Sequence, residues 1–438
     1  MIKKLLPILS FLIGIVAVTS CADDPKSSEE PVNNENQEEV GPEKSEEMTY
    51  LSSLGLTENE LTVAASNNDF AWYFFARNIE QNQGQNVVVS PLSVTVAMTM
   101  LANGAYADSP VRAEILNTLG FASMDMADVN SCVMKFADGI YRLDEEVELA
   151  LANSLWGKFE TFNFNPAYVS LLKKDFRAEV LPIVNSTFVA DVNNWCESKT
   201  KGLIKSLLPE GKNAPDMALI NATYFKGAWS KDFAFDAKNT AKGIFHNLDN
   251  TESTVDFMHR VDLYNSYQDD KMDVVSIPFG TGVYSFCIVN PADGSTVEDC
   301  INALSDGKWS NVFKRFRGEE YDVKIPKFDI TFDQQYVHEL LAQMGMTKAM
   351  KNVDYYYALP NLGLKVNEII QKTHLYINEE GAEAASTTYI DLWAGANEGY
   401  EPEPEAPRPL HLDHPFIYLI TERSSGAILF IGCVNSLK

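Results

Sequence analysis

The chain has 438 residues, of which 45% are hydrophobic, 22% charged and 11% aromatic. This composition is typical of a protein with a packed core and excludes a disordered or collagen-like chain. Sixty-one acidic residues against 35 lysines and arginines give a net charge of −26. Nucleic acid is therefore not expected as a partner, because phosphate binding requires a basic surface.

Residues 1–20 have the pattern of an export signal. Lys3 and Lys4 precede an apolar run that ends at residue 20, shorter than the roughly twenty residues of a membrane-spanning helix. The run is followed by Cys21 in the pattern Val-Thr-Ser-Cys, which resembles the lipobox of bacterial lipoproteins. The resemblance implies that Cys21 is acylated and attaches the protein to a membrane. The alternative is an ordinary signal peptide with a chance cysteine.

Residues 21–55 are interpreted as a disordered tether. Between Ala22 and Glu47 ten acids accompany two lysines and very few apolar residues, so the segment cannot bury enough surface to offset its ordering entropy. Asp23 and Asp24 also resemble the surface-export signal of Bacteroidetes lipoproteins. The expected location is therefore outside the cytoplasm, anchored to the outer membrane and exposed at the cell surface.

Residues 56–438 contain no second linker and are predicted to form one domain. Helices are predicted after a cap at 66–69, after Ser90-Pro91, and over 191–208 and 334–345. The segment after Pro91 is apolar all round, which indicates a helix in the centre of the fold. Strand-like runs dominate the second half of the domain, at 217–225, 283–291, 321–332, 416–420 and 427–434. Helices followed by strands without strict alternation predict an α+β fold.

Few residues indicate catalysis or metal binding. The common nucleophile, phosphate-loop and metalloprotease motifs are missing from the sequence. The five cysteines after Cys21 are scattered and odd in number, which predicts neither a zinc site nor a disulfide framework. His411 and His414 flank Asp413, where a polar approach to a strand is a better interpretation than a metal site. Neither a cofactor nor a metal is expected.

The segment 376–415 combines a potential strand with an exposed connection. Alternate positions from Ala382 to Ala394 are small or apolar, whereas the other parity carries more polar residues. Four prolines among acids follow from 402 to 409, so that part cannot be an inner strand. An ordinary edge strand with a proline-rich connection is the alternative interpretation.

The sequence Asn-Glu-Glu-Gly-Ala-Glu-Ala-Ala-Ser at 378–386 resembles the hinge of the serpins, inhibitors that trap proteases by inserting a cleaved loop into a sheet. The resemblance extends from about residue 64 to the end, through 86–105, 193–211, 219–233, 321–330 and 413–434. It implies the serpin fold, with helices around a large mixed β-sheet and two smaller sheets. It also implies a monomeric protease inhibitor rather than an enzyme, with a reactive loop at about 379–409.

The resemblance assigns roles to several residues. The hinge comprises Glu379, Glu380, Gly381, Ala382, Glu383, Ala384, Ala385, Ser386 and Thr387. Ser90, Ser93 and Asn221 match the residues that gate opening of the sheet, and Gln371 replaces a histidine usual there, so this position cannot titrate. Trp229 matches a tryptophan at the top of the sheet; its alternative role is that of a core aromatic residue.

The scissile bond is predicted between Gly395 and Ala396, at the usual family spacing of fourteen residues beyond Gly381. Together with Ala394, these small residues favour an elastase-like serine protease; a papain-like cysteine protease is an alternative target. Trp393 or Tyr400 would instead attract a chymotrypsin-like enzyme, and Arg408 a trypsin-like one. A non-inhibitory serpin that acts as a binding or carrier module is the alternative function.

Overall fold

The computed structural model describes residues 53–159, 164–334, 337–350, 369, 371–381 and 406–438. All of them belong to one compact unit, Met48–Lys438. The α-helices in this part of the chain are α1 Glu58–Gln81, α2 Pro91–Gly104, α3 Pro110–Thr118, α4 Met126–Gly139, α5 Pro166–Lys174, α6 Phe188–Lys199, α7 Val297–Leu304, α8 Lys308–Phe313 and α9 Val337–Gln343.

Helix α1 begins eight residues before the predicted cap at 66–69, so that prediction is wrong. Thr57 caps the helix, with its side chain accepting from the Glu60 amide while the Glu60 carboxylate accepts from the Thr57 amide. This reciprocal pair satisfies two amides that a helix start leaves unpaired. Asn67 and Asn68 are buried inside the helix instead.

Helix α2 lies in the centre of the molecule, as its apolar sequence predicts. All of its residues are buried. Ser90 precedes Pro91 at the cap position, but its hydroxyl does not cap the helix and donates to the Leu429 carbonyl at 2.8 Å. The proline supplies the preset backbone angle of a first helical residue.

The strands are β1 Val87–Val89, β2 Val147–Gly157, β3 Glu179–Pro182, β4 Met217–Gly227, β5 Ala241–His246, β6 Glu252–Gln268, β7 Met272–Phe279, β8 Tyr284–Pro291, β9 Arg317–Pro326, β10 Phe328–Gln334, β11 Gln371–Ile377, β12 Arg408–His411, β13 Phe416–Glu422 and β14 Ile428–Val434. Four of the five predicted strand runs coincide with single strands. The run 321–332 is divided at Lys327 between β9 and β10, so one strand was predicted where two are found.

The largest sheet has nine strands in the order β1-β14-β13-β8-β7-β6-β9-β12, with β5 paired to β6. It is mixed, because β12 runs parallel to β9 while the other pairs are antiparallel. Strands β13 and β14 form the predicted C-terminal hairpin, and every residue of the two strands is buried. With the helices and two smaller sheets, this arrangement confirms the predicted α+β class.

The two smaller sheets lie side by side and are separated by a seam between β4 and β11. One has the order β3-β2-β4 and the other pairs β10 with β11. Among the described residues, one isolated backbone bridge crosses the seam. It pairs Ala228, just after β4, with Gly381, which follows β11. Most of the seam therefore has no backbone ladder among these residues.

Helix α6 covers the outer face of β2 and β4. Trp195 and Cys196 on the helix pack with Trp156 of β2 and Ile220 of β4 in a second apolar cluster. The helix ends at Lys199 rather than at the predicted 208, because the chain turns through positive backbone angles at Lys201 and Gly202. The segment beyond it reaches the other small sheet, where the Lys372 ammonium donates to the Ser206 carbonyl at 2.9 Å.

Candidate functional site

The top of the seam is closed by the three predicted hinge residues that the structure describes. The chain reverses after β11, and Gly381 pairs with Asn378 on one side and with Ala228 on the other. Gly381 has φ +83°, and a Cβ placed there would lie 2.3 Å from the Trp229 amide nitrogen. Only glycine fits this turn without strain or displacement of β4, which explains its place in the hinge.

Trp229 fastens the end of β4 to the hinge. Its indole N–H donates to the Asn378 carbonyl at 2.8 Å, and its amide donates to the Glu380 carbonyl at 3.2 Å. Its ring stacks on Phe279 with centroids 4.7 Å apart. Trp229 is therefore a core aromatic residue that also holds the top of the seam closed.

Glu379 anchors the hinge through its carboxylate. The Thr240 hydroxyl donates to it at 2.7 Å, and the Lys327 ammonium lies 3.0 Å from its other oxygen. Burial opposes the charge of Glu379, but these hydrogen bonds outweigh burial and hold its pKa below the ordinary value. Sequence reasoning missed both partners, since Thr240 and Lys327 lie far from the hinge along the chain.

Glu379→Gln should lower the free energy of unfolding by about 1–2 kcal/mol at pH 7, since the anchor loses a charge-assisted hydrogen bond. A carboxylate with a lowered pKa stabilises the fold above its ordinary pKa of 4.5 and ceases to do so as the pH falls through the lowered value. The difference between variant and parent should therefore shrink below pH 4.5. Thermal unfolding at pH 7 and pH 3.5 measures both effects.

Glu380→Gln is the matched control for this prediction. The Glu380 side chain is exposed, and only its backbone contacts β4. The control should unfold like the parent at both pH values. Equal losses in the two variants would contradict the anchoring role of Glu379.

The predicted gate residues meet beneath the seam. The Gln371 amide accepts from the Ser90 backbone N–H at 3.0 Å and donates to the Ser90 carbonyl at 2.8 Å, which links β11 to the start of α2. Ser93 on α2 donates to Asn221 on β4. Both small sheets are thus hydrogen-bonded to the same helix on opposite sides of the seam. The Gln371 side chain has no titratable group, so its hydrogen bonds to Ser90 do not depend on its protonation.

The second buried polar residue on β11, Thr373, is left without a partner among the described residues. The Thr373 hydroxyl is fully buried and forms no hydrogen bond in the described part of the molecule. Across the seam, Thr223 donates to the Asn221 side chain at 2.6 Å, and Asn221 donates to Asn153 on β2. The inner face of the seam therefore changes from apolar at the top to polar further down.

The two histidines considered as a metal site, His411 and His414, contact different carboxylates. His411, at the end of β12, has Nε2 3.3 Å from Asp322 on β9, whose other oxygen lies 2.7 Å from His259 on β6. His414 contacts Asp413. Among the described residues no cluster of histidine, cysteine and carboxylate side chains is arranged to hold a metal ion.

Most of the reactive loop lies outside the described residues. This applies to the hinge positions Ala382, Glu383, Ala384, Ala385, Ser386 and Thr387, and to the bait candidates Trp393, Ala394, Gly395, Ala396 and Tyr400. It also applies to Cys21. The described chain resumes at residue 406 and enters β12, where Arg408 forms an ion pair with Asp273 at 3.0 Å. Arg408 is thus engaged in the sheet, which argues against it as bait.

Comparison with known proteins decides the family. The family model described as "Serpin (serine protease inhibitor)" matches residues 65–437. The chain belongs to the serpin family. A serpin-like protein of Methanosarcina mazei is 28% identical over 394 residues, covering 85% of this chain and 87% of the relative.

Solved serpin structures share the fold. The thermophilic serpin Tengpin in its native state has a TM-score of 0.75 at 25% identity and covers 89% of this chain and 97% of its own. Human thyroxine-binding globulin in complex with thyroxine has a TM-score of 0.74 at 25% identity, covering 86% and 99%. Serpins are in general protease inhibitors rather than enzymes, although some members, such as thyroxine-binding globulin, are not inhibitory.

Proposed function

We propose that this serpin is a suicide inhibitor of an elastase-like serine endopeptidase and that its cleaved loop inserts between β4 and β11. The observation that supports this most directly is the position of Gly381. It forms antiparallel bridges with Asn378 and Ala228 at the top of the seam, the point at which an inserted strand would begin. A protease that cleaves further along would free the following residues to continue that strand.

The two bridges set the register of the inserted strand. Counting from them, Ala382 comes opposite Gly227 and Ile377, and Ala384 opposite Phe225 and Leu375. These four strand residues lie on the face of their strands that points into the protein. The side chains of Phe225, Leu375 and Ile377 belong to the main hydrophobic core. Small side chains at 382 and 384 therefore suit the space available in the upper seam.

In the lower part of the seam, polar residues of the loop come opposite polar residues of β4 and β11. Ser386 comes opposite Thr223 and Thr373, so its hydroxyl would supply the partner that Thr373 lacks. Thr388 comes opposite Asn221 and Gln371, the gate residues of the two sheets. The loop sequence thus matches the inner face of the seam position by position, which favours insertion in this register over a slipped one.

The mechanism requires no catalytic group on this chain. The protease attacks the loop with its own nucleophile and forms an acyl-enzyme. Insertion then carries the attached protease along the seam and distorts it before deacylation. The energy comes from completing the ladders of β4 and β11 and from burying the apolar parity of the loop, at roughly 25 cal/mol per Å².

Incubation with neutrophil or pancreatic elastase tests this proposal. We expect a complex that survives boiling in SDS, and a released peptide that starts at Ala396 in the intact-mass spectrum. Cleaved serpin with free, active elastase would contradict inhibition of this enzyme. Cleavage beside Trp393 or Tyr400, or trapping of papain-like enzymes alone, would change the target class and leave the insertion mechanism in place.

A carrier function is the second candidate. The similarity to thyroxine-binding globulin, whose structure contains thyroxine, favours it. Gln371 at the gate and the acidic proline-rich stretch at 401–409 also favour it. A carrier would bind a small ligand without forming a covalent complex with any protease, so the elastase experiment separates the two functions.

We further propose that the chain is exported and held at the outer surface of a membrane by a lipid on Cys21. In the described ranges, no helix is long and apolar enough to cross a membrane. The proposed attachment is through the acyl chains on Cys21. Cys21→Ser should move the protein from the membrane fraction to the soluble fraction. Fractionation followed by immunoblotting measures this, and retention of the variant on membranes would contradict lipidation.

A further inference from the structure

A groove between helix α5 and the edge strand β3 lies on the far side of the three-stranded sheet from the seam. Its volume is about 590 Å³, and it is a shallow groove that is largely open to solvent. The apolar lining residues that the structure describes are Phe159, Phe164, Pro166, Val169 and Val180. No step of the proposed loop insertion involves this groove.

The apolar lining follows from the way α5 packs. Tyr168 and Leu172 are buried against the core, so Pro166 and Val169 lie on a different stripe of the helix, which faces the groove. The rings of Phe159 and Phe164 have centroids 4.6 Å apart and rest on Gly157, where a Cβ would lie 2.6 Å from Phe164. Residues 160–163, which join the two rings, lie outside the described residues, and the proposed contacts involve none of them.

Two lysines at the end of α5 give one end of the groove a positive charge. Lys173 and Lys174 line it and are exposed, and neither forms an ion pair in the described part of the chain. Asp138 pairs with two arginines and Glu179 with Lys199. Asp175, which follows Lys174, is exposed and is not among the described residues that line the groove. On a chain with a net charge of −26, this pair of free cations beside an apolar surface is a distinctive combination.

We propose that the groove binds a single-chain anionic amphiphile of the fatty-acid class. The alkyl chain would lie on Phe159, Val169 and Val180, and the carboxylate would lie between Lys173 and Lys174. Apolar contact then supplies affinity that grows with chain length, and the lysines select an anionic headgroup over a neutral one. This inference does not rest on protease inhibition.

Titration calorimetry of the full chain carrying Cys21→Ser tests the proposal without detergent. Sodium octanoate, decanoate and dodecanoate, each below its micelle concentration, should bind saturably at one site, with affinity rising up to about fourfold per added methylene. Dodecanol should bind at least tenfold more weakly than dodecanoate. Equal affinities for dodecanol and dodecanoate, or binding that does not saturate, would overturn the proposal.

Two variants locate the site. The double variant Lys173→Gln/Lys174→Gln should weaken dodecanoate binding at least tenfold. The control Lys205→Gln/Lys238→Gln removes two exposed lysines elsewhere and should leave binding unchanged. Val169→Trp fills the groove and should abolish binding; because it can also disturb folding, its thermal unfolding is measured beside it. Unchanged affinity in the α5 lysine variant, or in a folded Val169→Trp protein, would overturn the assignment.

Discussion

Arginine in place of Ala384 is expected to convert the inhibitor into a substrate of its target protease. In the register set by Gly381, residue 384 would enter the seam between Phe225 and Leu375, which are 5% and 2% exposed. A guanidinium there would lose its hydration without gaining a partner, at a cost of several kcal/mol. Each 1.4 kcal/mol added to the insertion barrier slows insertion about tenfold.

The outcome is a competition between insertion and hydrolysis of the acyl-enzyme. If insertion is slowed a hundredfold while deacylation is unchanged, most encounters end with cleaved serpin and active protease. The expected result is that the SDS-stable complex is lost while cleavage of the loop continues at its normal rate. Gel electrophoresis and residual protease activity against the molar ratio of inhibitor measure both.

Ala385→Arg is the matched control, because the same side chain would face the other side of the sheet. Position 385 comes opposite Tyr224 and His374, and Tyr224 hydrogen-bonds to the half-exposed carboxylate of Glu148. An arginine there would lie near Glu148, a carboxylate that is exposed to water and already paired with Lys201, so the charge is not buried among apolar groups. We expect this variant to retain most of its inhibition. Equal loss in both variants would contradict the register, and full inhibition by Ala384→Arg would contradict insertion.

Much of the fold was predictable from local pattern. Helix α2 is buried on every side because its sequence is apolar on every side, and β13 and β14 are continuous apolar runs joined by a short polar turn. Such elements are determined by the residues within them, so the hydrophobic periodicity and the turn residues are sufficient to predict them. The start of α1 was misplaced because Ser66 to Asp69 resemble a helix cap. The helix begins instead after Thr57, where Thr57 and Glu60 form the reciprocal capping pair.

The site was only partly predictable, for a different reason. The resemblance of 378–386 to a hinge identified the segment, but not what holds it. Thr240 and Lys327 reach Glu379 from separate loops, and the Thr373 hydroxyl has no partner among the described residues. Contacts of this kind depend on the tertiary arrangement, and neither residue type nor spacing indicates them.

Cleavage of the loop is expected to raise the melting temperature by tens of degrees. In the intact protein the seam edges of β4 and β11 lack a backbone ladder among the described residues except at the top. A strand inserted in the register of Gly381 would pair with both edges, cover the inner face of the seam and give the Thr373 hydroxyl a partner. Each of these changes stabilises the cleaved protein relative to the intact one.

Differential scanning calorimetry before and after limited proteolysis measures this shift. A protease that cuts within the loop but is not itself trapped is preferable, so that only the serpin is present during the scan. The Ala384→Arg protein, cleaved in the same way, is the matched control and should gain much less. Because insertion is also what distorts the acyl-enzyme, the size of the shift should follow the yield of covalent complex across the two proteins. An unchanged melting temperature in the parent would mean that the seam does not accept the loop. The carrier function would then be the better account of the same fold.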